Sequence, residues 1–143
     1  MRGFALIGLQ SPKIAANVGG VLRAAWAYGV AGVHIENARC GWVKDAENTP
    51  KAQRHMPVYF GSSLLTAIPV CCDLVVVDLV PDAETLVTFQ HPTRAMYVFG
   101  PEDGTVSSDI VAEAGYRVMV PMRGCMNLAA AVNVVLYDRM AKG

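Results

Sequence analysis

The sequence predicts an α/β fold, three layers (α/β/α) around a mostly parallel sheet. Three observations carry this. Short apolar segments with strand character alternate with helical segments along the chain, the order that βα units give. Residues 73–80 (DLVVVDLV) form a nearly unbroken Val/Leu run, as a central strand covered on both faces needs. The 143 residues, 53% of them hydrophobic, suit one domain (1–143) whose core needs neither metal nor disulfide.

The elements follow in order. Residues 3–9 (GFALIGL) are apolar and stop at Gln10-Ser11-Pro12, which marks a buried strand. Residues 15–28 (AANVGGVLRAAWAY) are alanine-rich and end before Gly29, so they predict a helix closed by a C-terminal glycine. Residues 32–36 (GVHIE) predict a second strand. The polar, punctuated stretch 37–56 predicts a long loop with room for one helical turn. Residues 58–60 predict a short strand, and 62–68 a short helix opened by Ser62 or Ser63 and closed by Pro69. After the central strand 73–80 come a strand at 94–100, a helix at 107–114, a strand at 116–121 and a last helix at 127–141. There is no internal repeat and no linker.

Residues 15–28 have only Asn17 and Arg23 as strongly polar side chains, and residues 127–137 only Asn127, Asn133 and a tyrosine hydroxyl. A surface helix has one apolar stripe; these are apolar nearly all round. The sheet covers one side, and a second subunit is the expected cover for the other, which predicts a homodimer. The alternative is an unusually alanine-rich exposed face.

Composition narrows the function. Hydrophobicity excludes a disordered chain. Twelve basic residues balance twelve acidic ones, which excludes a strongly basic nucleic-acid binder. The balance is uneven along the chain. Residues 1–60 carry seven basic and three acidic side chains, a net of +4, so a polyanion would meet this part. Ordinary surface scatter is the other explanation. Cys40, Cys71, Cys72 and Cys125 have no C-x-x-C zinc spacing, and the adjacent pair makes a poor structural disulfide. The first residues lack the pattern of a signal peptide, and no apolar run reaches membrane-spanning length. A reduced, cytoplasmic protein without a metal centre is the expectation; His55 and His91 receive no role.

Three motifs carry chemistry. The first is Asn17-Val18-Gly19-Gly20-Val21-Leu22-Arg23. Each glycine in a helix costs about 1 kcal/mol relative to alanine, a cost that fits close approach by a backbone or ligand. Asn17 suits a helix N-cap. Arg23 is a lone charge among apolar neighbours, and a buried arginine needs an anion: a carboxylate of this or a partner chain, or a bound phosphate. The second is Phe99-Gly100-Pro101-Glu102-Asp103-Gly104-Thr105 at a strand end, where open parallel sheets bind ligands; a tight turn alone would also explain Gly104. The third is Val120-Pro121-Met122-Arg123-Gly124-Cys125-Met126-Asn127-Leu128. There Asn127 suits the cap of the last helix, and the methionines suit either core or a cofactor surface.

Together, in this order, the motifs resemble the SpoU branch of the SPOUT (trefoil-knot) RNA methyltransferases. The family's first motif is an Asn, then a Gly, then an Arg six positions after the Asn, as in Asn17 to Arg23. Its second is F-G-x-E, here Phe99 to Glu102. Its third is I-P-M, then S-[LM]-N-[LV] and an apolar helix. Here these are Val120-Pro121-Met122, Cys125-Met126-Asn127-Leu128 and a helix reaching Tyr137-Asp138. The resemblance spans essentially the whole chain, whose length is that of the minimal TrmL-like members, tRNA wobble-nucleotide 2′-O-methyltransferases without a separate RNA-binding domain. The chain departs from the pattern in having only Arg123 and Gly124 between Pro-Met and the third motif's second half, Cys125 for serine, Gly20 for a frequent second asparagine, and Ala129 and Ala130 for polar residues.

The resemblance implies a C-terminal trefoil knot, an obligate dimer, S-adenosylmethionine as methyl donor and no metal. It implies a catalytic group of Arg23, Asn17 and Glu102. The expected cofactor contacts are Val77, Asp78, Leu79, Gly100, Val120, Met122, Cys125 and Met126. RNA, expected to be tRNA, would meet Lys13, Arg39, Trp42, Lys44, Lys51 and Arg54. Arg23 stays protonated, so its expected work is to hold a phosphate and a developing alkoxide while the phosphate, Glu102 or water takes the proton. The competing expectations are rRNA 2′-O-methylation, a non-catalytic knot-fold RNA-binding protein, and a flavodoxin-like nucleotide module. For the last, Gln10-Ser11-Pro12-Lys13 is a poor phosphate loop.

Overall fold

The structure, a computed structural model, describes residues 3–41 and 51–143. Among the described residues seven strands form one sheet: β1 (Phe4–Gln10), β2 (Gly32–Glu36), β3 (Val58–Gly61), β4 (Asp73–Val77), β5 (Glu84–Thr85), β6 (Arg94–Phe99) and β7 (Tyr116–Met119). Their order is β3-β2-β1-β6-β4-β7-β5, and every pairing is parallel. Helices α1 (Ala15–Ala27) and α3 (Leu128–Lys142) pack on one face and α2 (Ser108–Glu113) on the other. The expected three-layer architecture is therefore present.

Side-chain alternation builds both layers. Ile7 and Leu9 of β1, Val75 and Val77 of β4, and Tyr97 and Phe99 of β6 enter the core beneath α1 and α3. Their neighbours Leu6, Leu74, Val76, Met96 and Val98 enter the core beneath α2 with Ile110. Central strands are thus apolar on both faces, which is why their sequences read as continuous runs.

Several local expectations hold and others need correction. Gly29 closes α1 at φ +71, with Val30 N–H donating to Ala25 C=O (2.9 Å) and Gly29 N–H to Trp26 C=O (3.1 Å), the Schellman pair of bonds. Asn127 caps α3, its Oδ1 accepting from Ala130 N–H at 3.2 Å. Asn17 is not a cap: α1 begins earlier, with Ile14 at the N-cap position and no side-chain cap of its own. Residues 62–68 contain only a 3-10 turn, Leu65–Ala67, because Pro69 leaves no length for a helix. The central strand ends at Val77, where Asp78 turns the chain, and the two-residue β5 carries too little pattern to be read from sequence. Gly20 faces Ala129: a Cβ there would lie 2.8 Å from the Ala129 Cβ, so α1 and α3 approach at the expected glycine.

Arg23 is exposed rather than buried, and among the described residues it has no hydrogen bond or ion pair. Its place on α1 explains this: Val18, Val21, Leu22 and Ala25 take the inward face, and Arg23 shares the outward one with Ala27.

Candidate functional site

Parallel strands all present their carboxyl ends at one edge of the sheet, and the loops that leave β4, β6 and β7 meet there. They enclose a cavity of about 450 Å³. From β4 come Val77, Asp78 and Leu79; from β6, Gly100 and Glu102; from the segment after β7, Val120, Met122, Cys125 and Met126. Ile14 and Asn17 close it from α1, and Leu128 and Ala131 from α3. All eight residues expected as cofactor contacts line this one space, together with Asn17 and Glu102. Arg23 does not.

Glu102 ties the cavity wall to α1. Its Oε1 accepts from Lys13 N–H (2.8 Å), and its Oε2 from Ile14 N–H (2.9 Å) and Asn17 Nδ2 (3.0 Å). The carboxylate thus serves the start of α1, the role no local side chain fills. Partial burial works to raise the Glu102 carboxyl, but the donors from Lys13, Asn17 and Ile14 outweigh it and hold the group below its usual value. Asn17 extends the chain of bonds by accepting at Oδ1 from Asn127 Nδ2 (2.9 Å). Three loops distant in sequence are thereby joined.

Asp78 holds the next turn. Its Oδ1 accepts from Leu79 N–H (2.7 Å) and its Oδ2 from Val106 N–H (2.8 Å). Gly100 sits inside that bend: a Cβ there would be 2.8 Å from Val106 N and 3.2 Å from Asp78 Oδ2. The glycine allows a close backbone approach, one of the two roles open to this motif in sequence.

The expected RNA contacts are more dispersed. Arg39 donates to both Asp103 oxygens (3.0 and 2.5 Å) and to Ser11 C=O, so its fork is already engaged beside the cavity. Its hydrogen bonds and charge hold the Asp103 carboxyl down at about 2. Lys13 lies 3.7 Å from the same carboxylate. Lys51 precedes and Arg54 ends a 3-10 turn, Ala52–Arg54, that packs against α1, and His55 beside it meets Trp26 in the last turn of that helix. Trp26 is about 18 Å along α1 from Ile14, at 1.5 Å per residue, so these two cations stand away from the cavity. Trp42 and Lys44 lie outside the described residues.

Sequence reasoning reads Asn127 only as a cap and assigns nothing to Gln10, Glu36 and Ser107. Gln10 Nε2 donates to Glu36 Oε2 (2.8 Å) and Ser107 Oγ (2.7 Å), while Gln10 Oε1 accepts from Ser107 N–H (2.7 Å). The available signal is a polar residue ending each of two apolar strands. Among the described residues no group of three or more His, Cys, Asp or Glu could hold a metal ion, and no helix is long and apolar enough to cross a membrane.

Comparison with known proteins gives three kinds of result. The model of the SpoU rRNA Methylase family matches residues 5–137. No curated protein matches the sequence. Solved structures match over nearly the whole chain. The SpoU methyltransferase AviRb from Streptomyces viridochromogenes is 21% identical, with a TM-score of 0.82 over 99% of this chain and 62% of its own. AviRb in complex with the cofactor AdoMet matches equally well, with a TM-score of 0.82. The TrmH/SpoU tRNA modifying enzyme of A. aeolicus is 18% identical, with a TM-score of 0.85 over 99% of this chain and 76% of its own. A structure described in terms of the 2-OH methylation of C/U34 on tRNA is 22% identical, with a TM-score of 0.81 over 99% and 92%. The chain thus spans less than two thirds of AviRb but nearly all of the C/U34 protein.

Proposed function

The chain belongs to the SpoU rRNA methylase family, and from that premise we propose that it is an S-adenosylmethionine-dependent RNA methyltransferase acting on a ribose 2′-hydroxyl of tRNA, at the wobble nucleotide. The observation that carries this is the cavity at the ends of β4, β6 and β7, where the loops bearing the family's second and third motifs meet Asn17 of the first. The tRNA and the wobble position rest on the similarity to the C/U34 enzyme, whose length this chain nearly fills.

The cavity fits the cofactor. Its volume falls in the range of about 300–1,000 Å³ that holds small ligands, and AviRb binds AdoMet on the same fold. Gly100 lets the loop after β6 fold tightly against Val106 and Asp78 at the cavity wall, and Met122 and Met126 offer polarizable walls. When bound, the cofactor supplies an electrophilic methyl group on a sulfonium. The chain's own part is to hold the ribose hydroxyl about 3 Å from that methyl. Glu102 is assigned a positioning role, because both its oxygens already accept, Oε1 from Lys13 just before α1 and Oε2 from Ile14 and Asn17 at its start, and its carboxyl is held low. The hydroxyl proton then goes to the adjacent phosphate or to water. Arg23 keeps its charge and fork for that phosphate and the developing alkoxide.

Arg23 supports a homodimer. It is six residues, about 9 Å, along α1 from Asn17 and outside the cavity lining of its own chain. The outward face of α1 and α3 bears Trp26 (42% exposed), Tyr137 (57%) and Met140 (59%), large apolar groups that a second copy would cover. We assign Arg23 to the site across this interface. The trefoil knot belongs to the same reading: β7 lies between β4 and β5, and the segment leaving it packs beside the loops after β4 and β6. RNA would be held by Lys13, Arg39, Lys51 and Arg54, with Trp42 and Lys44, in the cytoplasm.

The test is methylation of total tRNA and total rRNA with labelled cofactor, followed by nucleoside mapping. Label in 2′-O-methylated wobble nucleosides of tRNA is the expected result. Label in rRNA or on a base overturns the acceptor. Binding of RNA without binding of S-adenosylmethionine in calorimetry identifies a non-catalytic knot-fold protein instead.

A further inference from the structure

The loop from Gly100 to Ser107 forms one wall of the cavity, and its far end is held from below. Glu36 is buried at the end of β2, with Oε1 accepting from Leu64 N–H (2.9 Å) and Oε2 from Gln10 Nε2 (2.8 Å). Gln10, at the end of β1, spends its amide in both directions: it donates to Glu36 and Ser107 Oγ and accepts from Ser107 N–H. Ser107 Oγ in turn donates to Asp109.

The chemistry of these partners allows one assignment. Glu36 faces two donors, so both its oxygens must accept, and an amide there would set an N–H against an N–H. Gln10 faces a carboxylate on one side and a backbone N–H on the other, so it needs both halves of an amide. A polar circuit of this kind is costly when broken, since each orphaned group keeps its full desolvation penalty.

We propose that Gln10 and Glu36 are positioning residues for the S-adenosylmethionine site. Together they fix Ser107, and through it the end of the loop whose Gly100, Pro101, Glu102 and Gly104 line the cavity. The inference rests on the functional reading given above. It adds a second anchor to that loop: Asp78 holds Val106 N–H from the β4 side, and Gln10 holds Ser107 from the β1 side. Neither residue lines the cavity, so the effect is on the shape of the cofactor seat and not on the reacting atoms.

The circuit predicts its own rescue. Glu36→Gln alone places an amide N–H against a donor. Gln10→Glu alone places two carboxylates together. The double exchange, Gln10→Glu with Glu36→Gln, restores the pairing between positions 10 and 36 with its polarity reversed: Gln at 36 accepts from Leu64 N–H and donates to Glu at 10, which accepts from Ser107 N–H, while the Ser107 hydroxyl leaves the exposed Asp109 to donate to Glu at 10. Calorimetry of the full chain with S-adenosylmethionine should show about a ten-fold weaker Kd for each single variant and recovery to within about three-fold of wild type for the double. Turnover at saturating cofactor should stay near wild type, and amide exchange at Val106 and Ser107 should rise in the singles and fall back in the double. If a single variant fails to fold, Ser107→Ala removes one leg of the circuit and should weaken Kd by about three-fold. Wild-type binding with an unaffected Glu36→Gln protein, or a folded double variant no better than the singles, overturns the inference alone. A wild-type protein that binds no S-adenosylmethionine overturns the functional reading itself.

Discussion

Asn127 donates from its side-chain amide to Asn17 Oδ1 at 2.9 Å, across 110 residues of sequence. The bond sets the N-terminal ends of α3 and α1 side by side, and Asn17 passes the connection on to Glu102. Asn17→Ala should therefore cost about 1 kcal/mol in chemical denaturation, the ordinary net worth of a hydrogen bond at a half-exposed position. Asn17→Asp sets a second carboxylate beside Glu102 and should be the more damaging at pH 7. Its deficit should shrink toward pH 5, as one of the two acids takes up a proton and donates to the other. Equal deficits at both pH values would mean that the two side chains do not interact.

The crowding at Gly100 gives a sharper case. A methyl group there meets Val106 N at 2.8 Å and displaces the Asp78 carboxylate that holds the same N–H. Gly100→Ala should weaken S-adenosylmethionine binding by about ten-fold, the effect of breaking the half-buried Asp78–Val106 bond and displacing the cavity wall that it holds. Stability should fall by about 1–3 kcal/mol, as for other overpacked sites. Calorimetry and thermal unfolding measured on the same sample separate the two effects.

Arg23 has no partner among the described residues of its own chain, so replacing it should leave folding nearly untouched. Arg23→Ala should lower turnover by about 10²–10³-fold, the usual loss on removing a group that stabilises developing charge. Arg23→Lys keeps charge without the fork and should be nearly as slow. Because the assignment runs through a second copy, mixing Arg23→Ala with a variant defective in its own cofactor cavity should restore part of the activity in the mixed dimer. Turnover of Arg23→Lys equal to wild type would remove the residue from the site.

What is legible in the sequence divides along sequence distance. β1, β2, β4 and β6 are legible because burial on both faces forces continuous apolar runs. Gly29 and Asn127 are legible because a helix end must satisfy its own orphan groups within a few residues. Asn17 misleads for the same reason. Its residue type suits a cap, but the group that serves the start of α1 is Glu102, 85 residues away, and no local pattern announces it. The Gln10–Ser107 contact, 97 residues apart, is equally silent. The apolar neighbours of Arg23 suggest burial, yet those neighbours supply the inward face of α1 and Arg23 the outward one. The cavity lining is legible only through the motifs, since nothing in the composition of three separate loops says that they converge.

His91, silent in the sequence, is the centre of a polar cluster at α3. Its Nε2 meets Asp138 at 2.6 Å and its Nδ1 meets the Tyr97 hydroxyl at 2.8 Å, and Arg139 donates to the same hydroxyl at 2.9 Å. Lys142 pairs with Asp138 at 2.9 Å. Burial pushes the His91 imidazole below its usual value, and Lys142 and Arg139 push the same way, against the pull of Asp138. A histidine with a depressed folded value binds fewer protons folded than unfolded. Its stabilising contribution is complete above the unfolded value near 6.5 and is lost as pH falls toward the folded value. Thermal stability should therefore drop between pH 7 and pH 5, and His91→Gln should flatten that slope. An unchanged slope would assign the pH dependence to another group.

The cations on the flank of α1 separate binding from chemistry. Lys51 and Arg54 stand near the far end of α1 from the cavity, and unlike Arg39 they have no carboxylate ion pair among the described residues. If they bind RNA, they do so through phosphates, which carry no sequence information but release counterions. Replacing both with alanine should weaken RNA binding and reduce the slope of log K against log salt by about 0.7 for each phosphate no longer neutralised, as for single strands. The affinity for S-adenosylmethionine and the maximal turnover should not change, because neither residue touches the loops that form the cofactor seat. Arg39→Ala should behave differently. It frees Asp103 at the cavity edge, whose carboxyl is held at about 2 chiefly by that guanidinium, and so exchanges a neutralised pair for a negative charge where a phosphate must pass. It should therefore raise KM for RNA without a matching fall in salt dependence, and measuring both slopes in one series tells a phosphate contact from a charge that merely masks its neighbour.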